Sequence, residues 1–251
     1  MIHELNNLVT VVIPVLNEEK AIGRVIKKVK EEGYYNILVV DGFSSDNTVS
    51  QVVRNGEKVI YQTGKGKTGA IETAIKNIET RYMVFLDGDC TYDPKDIENV
   101  VSPLWDADLV IGARALGRKN IPIFNRFGNM MINAIFNLLM GTDLKDVCSG
   151  MYGLRTDFAR NLTFKTEGFD VEVEIAAQAS KYGRISQVPI RYHDRVGLQK
   201  LQPVKDGFSI MRRVITMAIK LRLNGEPTKQ NILKLHDKNP THTQARAEWK
   251  T

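Results

Sequence analysis

The chain has 251 residues, 43% hydrophobic and 25% charged, which is typical of one large globular domain and excludes a disordered or collagen-like protein. Its 35 basic and 29 acidic residues give a net charge of +6, which favours anionic partners such as nucleotides, phosphates or a membrane surface without proving any of them. The two cysteines, Cys90 and Cys148, fit neither a zinc site nor a disulfide framework, so we expect a reducing compartment.

Apolar, β-branched runs alternate with amphipathic stretches along the first half of the chain. The runs predict strands at Val9–Ile13, Ile37–Val40, Lys58–Tyr61, Tyr82–Leu86 and Leu109–Gly112. The stretches between them predict helices near Glu18–Glu32, Asp46–Asn55, Thr68–Glu79 and Pro94–Leu104. This alternation predicts an α/β fold, in which helices flank a mostly parallel sheet.

The second half is less regular. It predicts helices at Pro122–Met140, Phe169–Tyr182 and Lys205–Leu223 and a strand at Arg184–Tyr192. The first of these helices carries an asparagine at every fourth residue from Asn125 to Asn137, and this polar stripe argues against a membrane span. No signal peptide is visible. We expect one domain over residues 1–203, an amphipathic helix over 204–223 and a polar tail over 224–251.

Three acidic clusters follow predicted strands at the edge where α/β sheets bind ligands. They are Pro14-Val15-Leu16-Asn17-Glu18, Asp41-Gly42-Phe43-Ser44-Ser45-Asp46 and Asp87-Gly88-Asp89. Hard divalent cations prefer carboxylate oxygens, and two aspartates separated by one small residue can present oxygens to one metal–diphosphate unit. We therefore favour a cation-assisted nucleotide site over three solvated turns, with Asp87 and Asp89 as metal ligands.

Basic residues could bind the phosphates of such a nucleotide. A P-loop is excluded for the segment Lys65-Gly66-Lys67-Thr68, because the position of its earlier glycine is Tyr61. Two alternatives stay open: a helix N-terminus that binds a diphosphate, or a plain helix start. After the fifth strand, guanidinium and ammonium groups suit phosphate recognition or a solvated loop equally. They are Arg114, Arg118, Lys119 and Arg126. Further on, Arg191, Arg195 and Lys200 lie in a polar stretch that could close over a ligand.

The last predicted helix, Lys205–Leu223, is both apolar and basic. Its apolar residues are Phe208, Met211, Val214, Ile215, Ala218 and Ile219, and its basic residues are Arg212, Arg213, Lys220 and Arg222. Such a helix can lie in a membrane interface, or it can pack against the sheet. We favour the interface, because helix Pro122–Met140 offers a second apolar surface.

In this order the motifs resemble glycosyltransferase family 2, with a GT-A fold, over residues 8–223. More narrowly, they are similar to the polyprenyl (dolichyl) phosphate sugar synthases, and most to the archaeal dolichyl-phosphate hexose synthases. Besides the acidic clusters, the matching segments are Ile111–Arg114, Asn125–Asn129, Asp146–Gly150, Glu167–Glu174, Val188–Ile190 and Arg195–Gly197. Two positions depart from the pattern: Gly42 replaces a second aspartate, and Thr91 replaces the glutamine of the mannose synthases.

The resemblance implies an inverting, metal-dependent hexosyltransferase that uses Mg²⁺ or Mn²⁺. Its donor would be a nucleoside diphosphate sugar (UDP-Glc, UDP-GlcNAc or GDP-Man), and its acceptor would be dolichyl phosphate for protein N-glycosylation. The acceptor phosphate is already anionic, so no strong general base is needed. The resemblance also implies that the protein binds peripherally to the cytoplasmic face of the cell membrane. It implies no nucleic-acid partner, and it leaves the oligomeric state open.

The resemblance also assigns roles to individual residues. The implied catalytic residues are Asp89, Arg114, Arg126 and Lys200, and the metal ligands are Asp87 and Asp89. The implied nucleotide-binding residues are Pro14, Leu16, Glu18, Asp41, Lys65, Asp87 and Gly88. The implied acceptor-binding residues are Arg126, Ser149, Gly150 and Glu172.

Three alternatives stay open. A family 2 transferase with a soluble or polysaccharide hydroxyl acceptor would need a carboxylate base, for which Asp146 or Glu172 could serve. A nucleotide-sugar nucleotidyltransferase would carry a glycine-rich signature after the first strand, and this chain has none there. Asp87, Asp89 and the arginines argue against a catalytically inactive module that only binds nucleotide sugars.

Overall fold

The computed structural model describes residues 7–117, 120–166, 168, 170–197 and 203–223. The predictions made for Arg118, Lys119, Lys200 and the tail 224–251 lie outside these residues. The strands are β1 (Val9–Val15), β2 (Ile37–Asp41), β3 (Val59–Tyr61), β4 (Tyr82–Phe85), β5 (Leu109–Leu116), β6 (Tyr152–Arg155) and β7 (Ile185–Arg191). The helices are α1 (Ile22–Glu31), α2 (Thr48–Arg54), α3 (Gly66–Asn77), α4 (Ile97–Val101), α5 (Ile123–Met140), α6 (Thr156–Ala159), α7 (Val171–Tyr182) and α8 (Pro203–Leu223).

Within the described chain, seven strands form one sheet in the order β3-β2-β1-β4-β6-β5-β7. Strands β1 to β4 pair in parallel, as do β5 and β7. Strand β6 runs antiparallel between β4 and β5. The predicted mostly parallel α/β sheet is therefore confirmed, while β6 was missed because a four-residue strand is too short to show a periodicity.

The sheet is covered on both faces, because successive side chains of a strand point to opposite sides. On β1, Val11 and Ile13 join a buried cluster with α1 and α4, whereas Val12 joins a cluster with α3, α5, α7 and α8 on the other face. This double coverage explains why the strands read as continuous apolar runs.

Several element bounds differ from the prediction for local reasons. Helix α1 begins at Ile22 rather than Glu18. Glu18 lies in the turn before the helix, where its amide donates to the hydroxyl of Thr48, the first residue of α2 (2.7 Å). The predicted helix Pro94–Leu104 is instead α4 between two short 3₁₀ helices, Pro94–Asp96 and Ser102–Trp105. Proline has no N–H to donate within a helix, and each 3₁₀ segment contains one.

The asparagine stripe of α5 faces the protein. The side-chain amides of Asn133 and Asn137 both donate to the carbonyl of Leu144, and Asn133 accepts from the amide of Val147 (3.0 Å). These bonds fix the loop that follows α5 against the helix. None of the described helices has the length and apolarity that a membrane crossing would need.

Helix α8 does not present the single apolar face that the sequence predicts. Its residues Val214 and Ala218 are buried against α5 and α7, whereas Phe208, Ile215 and Ile219 are exposed. The prediction that Val214 and Ala218 face an interface is therefore wrong, because that side of the helix completes the core.

The basic residues of α8 also differ in their exposure. Arg213 lies 3.6 Å from Asp170 and is mostly buried, so it does not point to a surface. Arg212 is exposed. The predicted row of outward cations is therefore wrong for Arg213, because its position on the helix turns it towards α7.

Candidate active site

The ends of β1, β2 and β4 bring the three acidic clusters to one rim of the sheet. Val15 at the end of β1 pairs with Asp41 at the end of β2, and β4 lies on the other side of β1. Gly88 packs against Val15 so closely that an added Cβ would lie 2.7 Å from the Val15 Cγ1 atom. A glycine at this position is what allows Asp87 and Asp89 to lie beside the first cluster.

Hydrogen bonds tie the first two clusters together. The buried Asp41 carboxylate accepts from the Ser44 amide (2.8 Å) and hydroxyl (2.6 Å). Asn17 has a left-handed backbone (φ 51°), and its side-chain oxygen accepts from the Ser45 amide (2.8 Å). The predicted nucleotide-binding residues Glu18 and Asp41 therefore belong to one preorganised loop pair.

An apolar edge lies next to Asp41. The rings of Phe43 and Tyr61 are stacked with their centroids 5.4 Å apart, and both rings are exposed. Leu16, another predicted nucleotide-binding residue, is also exposed, whereas Pro14 before it is half-buried. An exposed stacked pair beside an acid offers a surface that a nucleobase could cover.

Asp89 and Glu18 share one arginine. The guanidinium of Arg195 donates to Asp89 Oδ2 (2.6 Å) and to Glu18 Oε1 (2.5 Å). The other Asp89 oxygen accepts from the Thr91 amide (3.0 Å) and hydroxyl (2.6 Å). Burial and the neighbouring Asp87 carboxylate raise the pKa of Asp89 above its ordinary value. Asp89 thus lies in a polar site that already contains a counterion.

The segment that carries Arg195 is bound through its backbone to the Asp87–Thr91 segment. The Val196 amide donates to the Asp89 carbonyl (2.9 Å), and the His193 amide donates to the Thr91 carbonyl (2.8 Å). The sequence predicted only that this stretch could close over a ligand. It did not assign Arg195 to the site, because 106 residues separate Arg195 from Asp89 and only the fold joins them.

Asp87 and Glu172 share a lysine that the sequence did not assign. Lys67 Nζ lies 2.8 Å from Asp87 Oδ1 and 2.7 Å from Glu172 Oε1. Although burial opposes its charge, these two carboxylates raise the pKa of Lys67 well above its ordinary value. The predicted Lys65 is instead exposed at the N-cap of α3, and its role in nucleotide binding stays a prediction.

The predicted phosphate ligand Arg114 is buried in an ion pair. Its Nε donates to Asp146 Oδ2 (2.6 Å), and its Nη2 donates to Asp146 Oδ1 (2.7 Å) and to the Cys148 carbonyl (3.3 Å). The guanidinium also lies 5.4 Å from the centre of the Tyr192 ring. Arg114 therefore holds the 146–148 loop beside the site, and contact with a phosphate stays a prediction.

Two predicted acceptor residues, Ser149 and Gly150, follow that loop. The Gly150 amide donates to the Tyr92 hydroxyl (2.7 Å), and an added Cβ at Gly150 would lie 2.5 Å from Asp87 Oδ2. Ser149 is buried, and its hydroxyl lies 3.4 Å from the Met151 carbonyl. Arg126 is exposed in the first turn of α5. Gly150 thus packs directly against Asp87, whereas Arg126 lies at the surface.

The donor set fits a hard divalent cation. The carboxylates of Asp87 and Asp89 and the hydroxyl of Thr91 supply oxygen atoms, which Mg²⁺ and Mn²⁺ prefer. Within the described part of the chain, no three His, Cys, Asp or Glu side chains converge on one point. A cation held by Asp87 and Asp89 would therefore need further oxygen ligands from a substrate or from water.

Comparisons with known proteins identify the family of the chain. A family model for glycosyl transferase family 2 matches residues 10–163, more than half of the chain. A glycosyltransferase, AglJ, of Haloferax volcanii is 34% identical over 206 residues, which cover 79% of this chain and 68% of the relative. A dolichyl-phosphate hexose transferase of the same organism is 30% identical over 218 residues, which cover 85% of this chain and 95% of the relative.

A solved structure shows the same fold. Glucosyl-3-phosphoglycerate synthase from Mycobacterium tuberculosis, in complex with Mn²⁺, UDP-glucose and phosphoglyceric acid, matches with a TM-score of 0.69 at 22% identity. The match covers 88% of this chain and 83% of that one. The chain therefore belongs to glycosyltransferase family 2, and its mostly parallel sheet with flanking helices is the GT-A fold.

Proposed function

We propose that the protein transfers a hexose, with inversion, from a nucleoside diphosphate sugar to dolichyl phosphate at a membrane surface. The observation that carries this proposal is that two features lie side by side. One is the edge of the sheet with the ion pairs of Arg195 and Lys67, here called the rim, and the other is an exposed apolar surface. Asn120, just before α5, donates to the Tyr192 carbonyl (2.9 Å), and Tyr192 contacts both Tyr92 and Arg114. Helix α5 therefore begins beside the rim.

The apolar surface suits a lipid acceptor. On α5 and α8, which pack together, large apolar side chains point outward. They are Ile123, Phe127, Met130, Met131, Leu138, Phe208, Ile215 and Ile219. Large apolar side chains exposed together on two packed helices favour an interaction site. We place it at the cytoplasmic face of the cell membrane, with the protein bound peripherally, and the dolichyl-phosphate hexose transferase relative supports a lipid acceptor.

The chemistry needs positioned charge rather than a strong base. An oxygen of the acceptor phosphate attacks the anomeric carbon, the bond from that carbon to the diphosphate breaks, and the nucleoside diphosphate leaves with the electron pair. Asp89, Asp87 and Thr91 would hold a Mg²⁺ or Mn²⁺ ion, whose charge stabilises the leaving diphosphate. Arg195 lies beside the same position, and Arg114, Arg126 and Lys200 are the proposed ligands of the acceptor phosphate.

The two carboxylates considered as a base favour a phosphate acceptor over a hydroxyl acceptor. Asp146 is bound by Arg114 on both oxygens, and Glu172 lies 2.7 Å from the Lys67 ammonium. Both carboxylates are therefore occupied in ion pairs, although burial, opposed by the Lys67 ammonium, raises the pKa of Glu172 above its ordinary value. A hydroxyl acceptor would require one of these pairs to open.

The test is a transfer assay with purified protein, Mg²⁺ or Mn²⁺, and dolichyl phosphate in vesicles, against labelled UDP- and GDP-sugars. We expect label from one donor to partition into organic solvent, and excess EDTA to stop the transfer. Dolichol in the same vesicles, which has the same lipid chain but no phosphate, is the matched control. Label that stays in water with a soluble acceptor present, and never enters the lipid, would overturn the lipid assignment.

A further inference from the structure

We propose that a cavity between α7 and α8 binds a phosphate group, of a lipid headgroup or of a free phosphate monoester, at a place separate from the rim. The cavity has a volume of about 270 Å³. It is lined by Asp170 at the N-cap of α7 and by Ser209, Arg212, Arg213 and Thr216 of α8. The inference goes beyond the proposed function, because neither the donor nor the acceptor is proposed to bind there.

The cavity lies on the side of α7 that faces away from the rim. Glu172 and Glu174 are two positions apart, which is about 200° around a helix. Glu172 lies 2.7 Å from Lys67 of the rim, whereas Glu174 Oε1 lies 3.9 Å from Nη1 of Arg213 on α8. A ligand in the cavity would therefore bind beside α8 and not between the loops of the rim.

The arginine inside the cavity is only loosely paired. Arg213 Nε lies 3.6 Å from Asp170 Oδ2, and Arg213 Nη1 lies 3.9 Å from Glu174 Oε1. Both distances exceed the hydrogen-bond range of about 2.7–3.2 Å. By contrast, Arg114 Nε lies 2.6 Å from Asp146 Oδ2. The guanidinium of Arg213 can therefore donate to an anion that enters the cavity without breaking a short ion pair.

Positive charge accumulates along the same side of α8. Polar residues recur there at spacings of three or four and form one stripe of the helix. They are Ser209, Arg212, Thr216 and Lys220. Partial burial and the neighbouring Lys165 ammonium lower the pKa of Lys220, and the charge of Arg213 acts in the same direction. These cations repel one another, and a bound anion would relieve the repulsion.

The lining suits a phosphate in particular. A guanidinium has a planar pair of N–H donors that matches two phosphate oxygens, and the Ser209 hydroxyl can donate to a third. Arg212 and Thr216 are exposed, so the cavity can be entered from outside. Phe208 and Ile215, also exposed, flank these residues on α8. A lipid headgroup could therefore reach the cavity as readily as a free phosphate monoester.

The test begins with glycerol phosphate, a soluble phosphate monoester. Calorimetry is done in EDTA at about pH 8, where such a monoester, with a second pKa of about 6, is fully ionised. Ser209→Ala removes a hydroxyl without changing the charge and should weaken binding about tenfold. Arg212→Gln should weaken it at least as much. Asp170→Asn removes the nearest anion and should strengthen binding about fivefold.

The variants are chosen to keep the fold. Alanine is the best helix former, so Ser209→Ala should leave Tm unchanged or raise it, and asparagine is as good an N-cap as Asp170. Ser50→Ala, on an exposed serine of α2, is the matched control and should not change binding. Glycerol phosphate that binds at the rim contributes equally in every variant, so the differences between variants measure the cavity.

Flotation with phosphatidylcholine vesicles then distinguishes the two sources of phosphate. The vesicles contain either phosphatidic acid, which presents a phosphate monoester, or oleate, which supplies a matched surface charge as a carboxylate. If Ser209→Ala floats less with phosphatidic acid but equally with oleate, the ligand is a lipid headgroup. If only glycerol phosphate binding changes, the ligand is a free monoester.

Two results would overturn the inference and leave the proposed function untouched. One is wild-type binding by Ser209→Ala, Arg212→Gln and Asp170→Asn in both calorimetry and flotation. The other is an effect of Arg212→Gln alone that is equal on phosphatidic acid and oleate vesicles, because that is an effect of surface charge and not of a phosphate site.

Discussion

The rim of the sheet and the surface of α5 and α8 present opposite kinds of chemistry. At the rim, cations and carboxylates satisfy one another: Arg195 joins Glu18 to Asp89, and Lys67 joins Asp87 to Glu172. On the helices, the large exposed side chains are mostly apolar, such as Phe127 and Leu138. The rim therefore presents ion pairs that a charged ligand could exchange for its own contacts, whereas the two helices present apolar side chains that a partner surface could cover.

Under the proposed function, this difference predicts where each substrate binds. A nucleoside diphosphate with its metal ion brings a negative and a positive charge, and the rim has partners for both. Arg195 would exchange its contact with the Asp89 carboxylate for one with the phosphate oxygens. The lipid chain would remain in the membrane, with only its phosphate reaching the edge between the two regions. Variants on either side should therefore affect donor and acceptor separately.

The largest effect is expected at the centre of the rim. Asp89→Ala should lower kcat about a thousandfold, because the leaving diphosphate loses the cation that neutralises it. Titration of Mn²⁺ in the presence of nucleoside diphosphate should show weakened metal binding, while thermal unfolding stays cooperative. Asp106→Ala, an exposed aspartate elsewhere, is the control. Near wild-type turnover in Asp89→Ala would contradict the metal assignment.

A smaller effect is expected at the boundary between the regions. Arg126→Ala should raise the KM for dolichyl phosphate about tenfold and leave the donor KM unchanged, because Arg126 is exposed in the first turn of α5 and a charged hydrogen bond is of this strength. Steady-state kinetics with each substrate varied in turn measures both constants. Arg54→Ala, an exposed arginine on α2, is the control. An increase confined to the donor KM would assign Arg126 to donor binding instead.

The sequence predicted the rim better than the helices, for a physical reason. The acidic clusters follow buried strands, and parallel strands end at one edge, so Glu18, Asp41 and Asp89 could be placed together from local pattern alone. Lys67 and Arg195 were not assigned to the site, because their contacts come from long-range packing. The prediction of which α8 residues are exposed was wrong in part. The spacing of apolar residues along a helix is the same whether they face a protein core or a membrane.

The exposed surface should bind membranes through both apolar and charged contacts. Arg212→Glu removes a cation and adds an anion, so it should lower co-sedimentation with anionic vesicles by at least about fivefold at low salt, because each cation near such a surface contributes about 1 kcal/mol. Ile215→Glu should lower binding also to neutral vesicles containing dolichyl phosphate. Lys27→Glu, an exposed lysine on α1, is the control. Wild-type protein that stays in the supernatant would show that this surface is not a membrane contact.

The smallest effect concerns the stability of the rim rather than its chemistry. Asp46 accepts from the Thr48 amide (2.9 Å) and hydroxyl and from the Glu19 amide (3.2 Å), which joins the first two acidic clusters. Although partial burial opposes the charge, these hydrogen bonds lower the pKa of Asp46. A carboxyl whose pKa is lower in the folded state stabilises the protein above its unfolded pKa of about 3.9, and this stabilisation is lost as pH falls through the folded value.

We therefore expect Asp46→Asn to lower the free energy of unfolding by about 1 kcal/mol at pH 7, with a difference that is constant down to about pH 5 and shrinks below about pH 4. Urea unfolding at several pH values measures it, with Asp106→Asn as the matched control on an exposed aspartate. The variant should change the free energy of unfolding but not kcat or KM, because Asp46 joins two loops and is not a proposed ligand of the substrates. A difference that grows as the solution is acidified would mean that the Asp46 carboxylate is not held by these hydrogen bonds, and the rim would then be less preorganised than its contacts indicate.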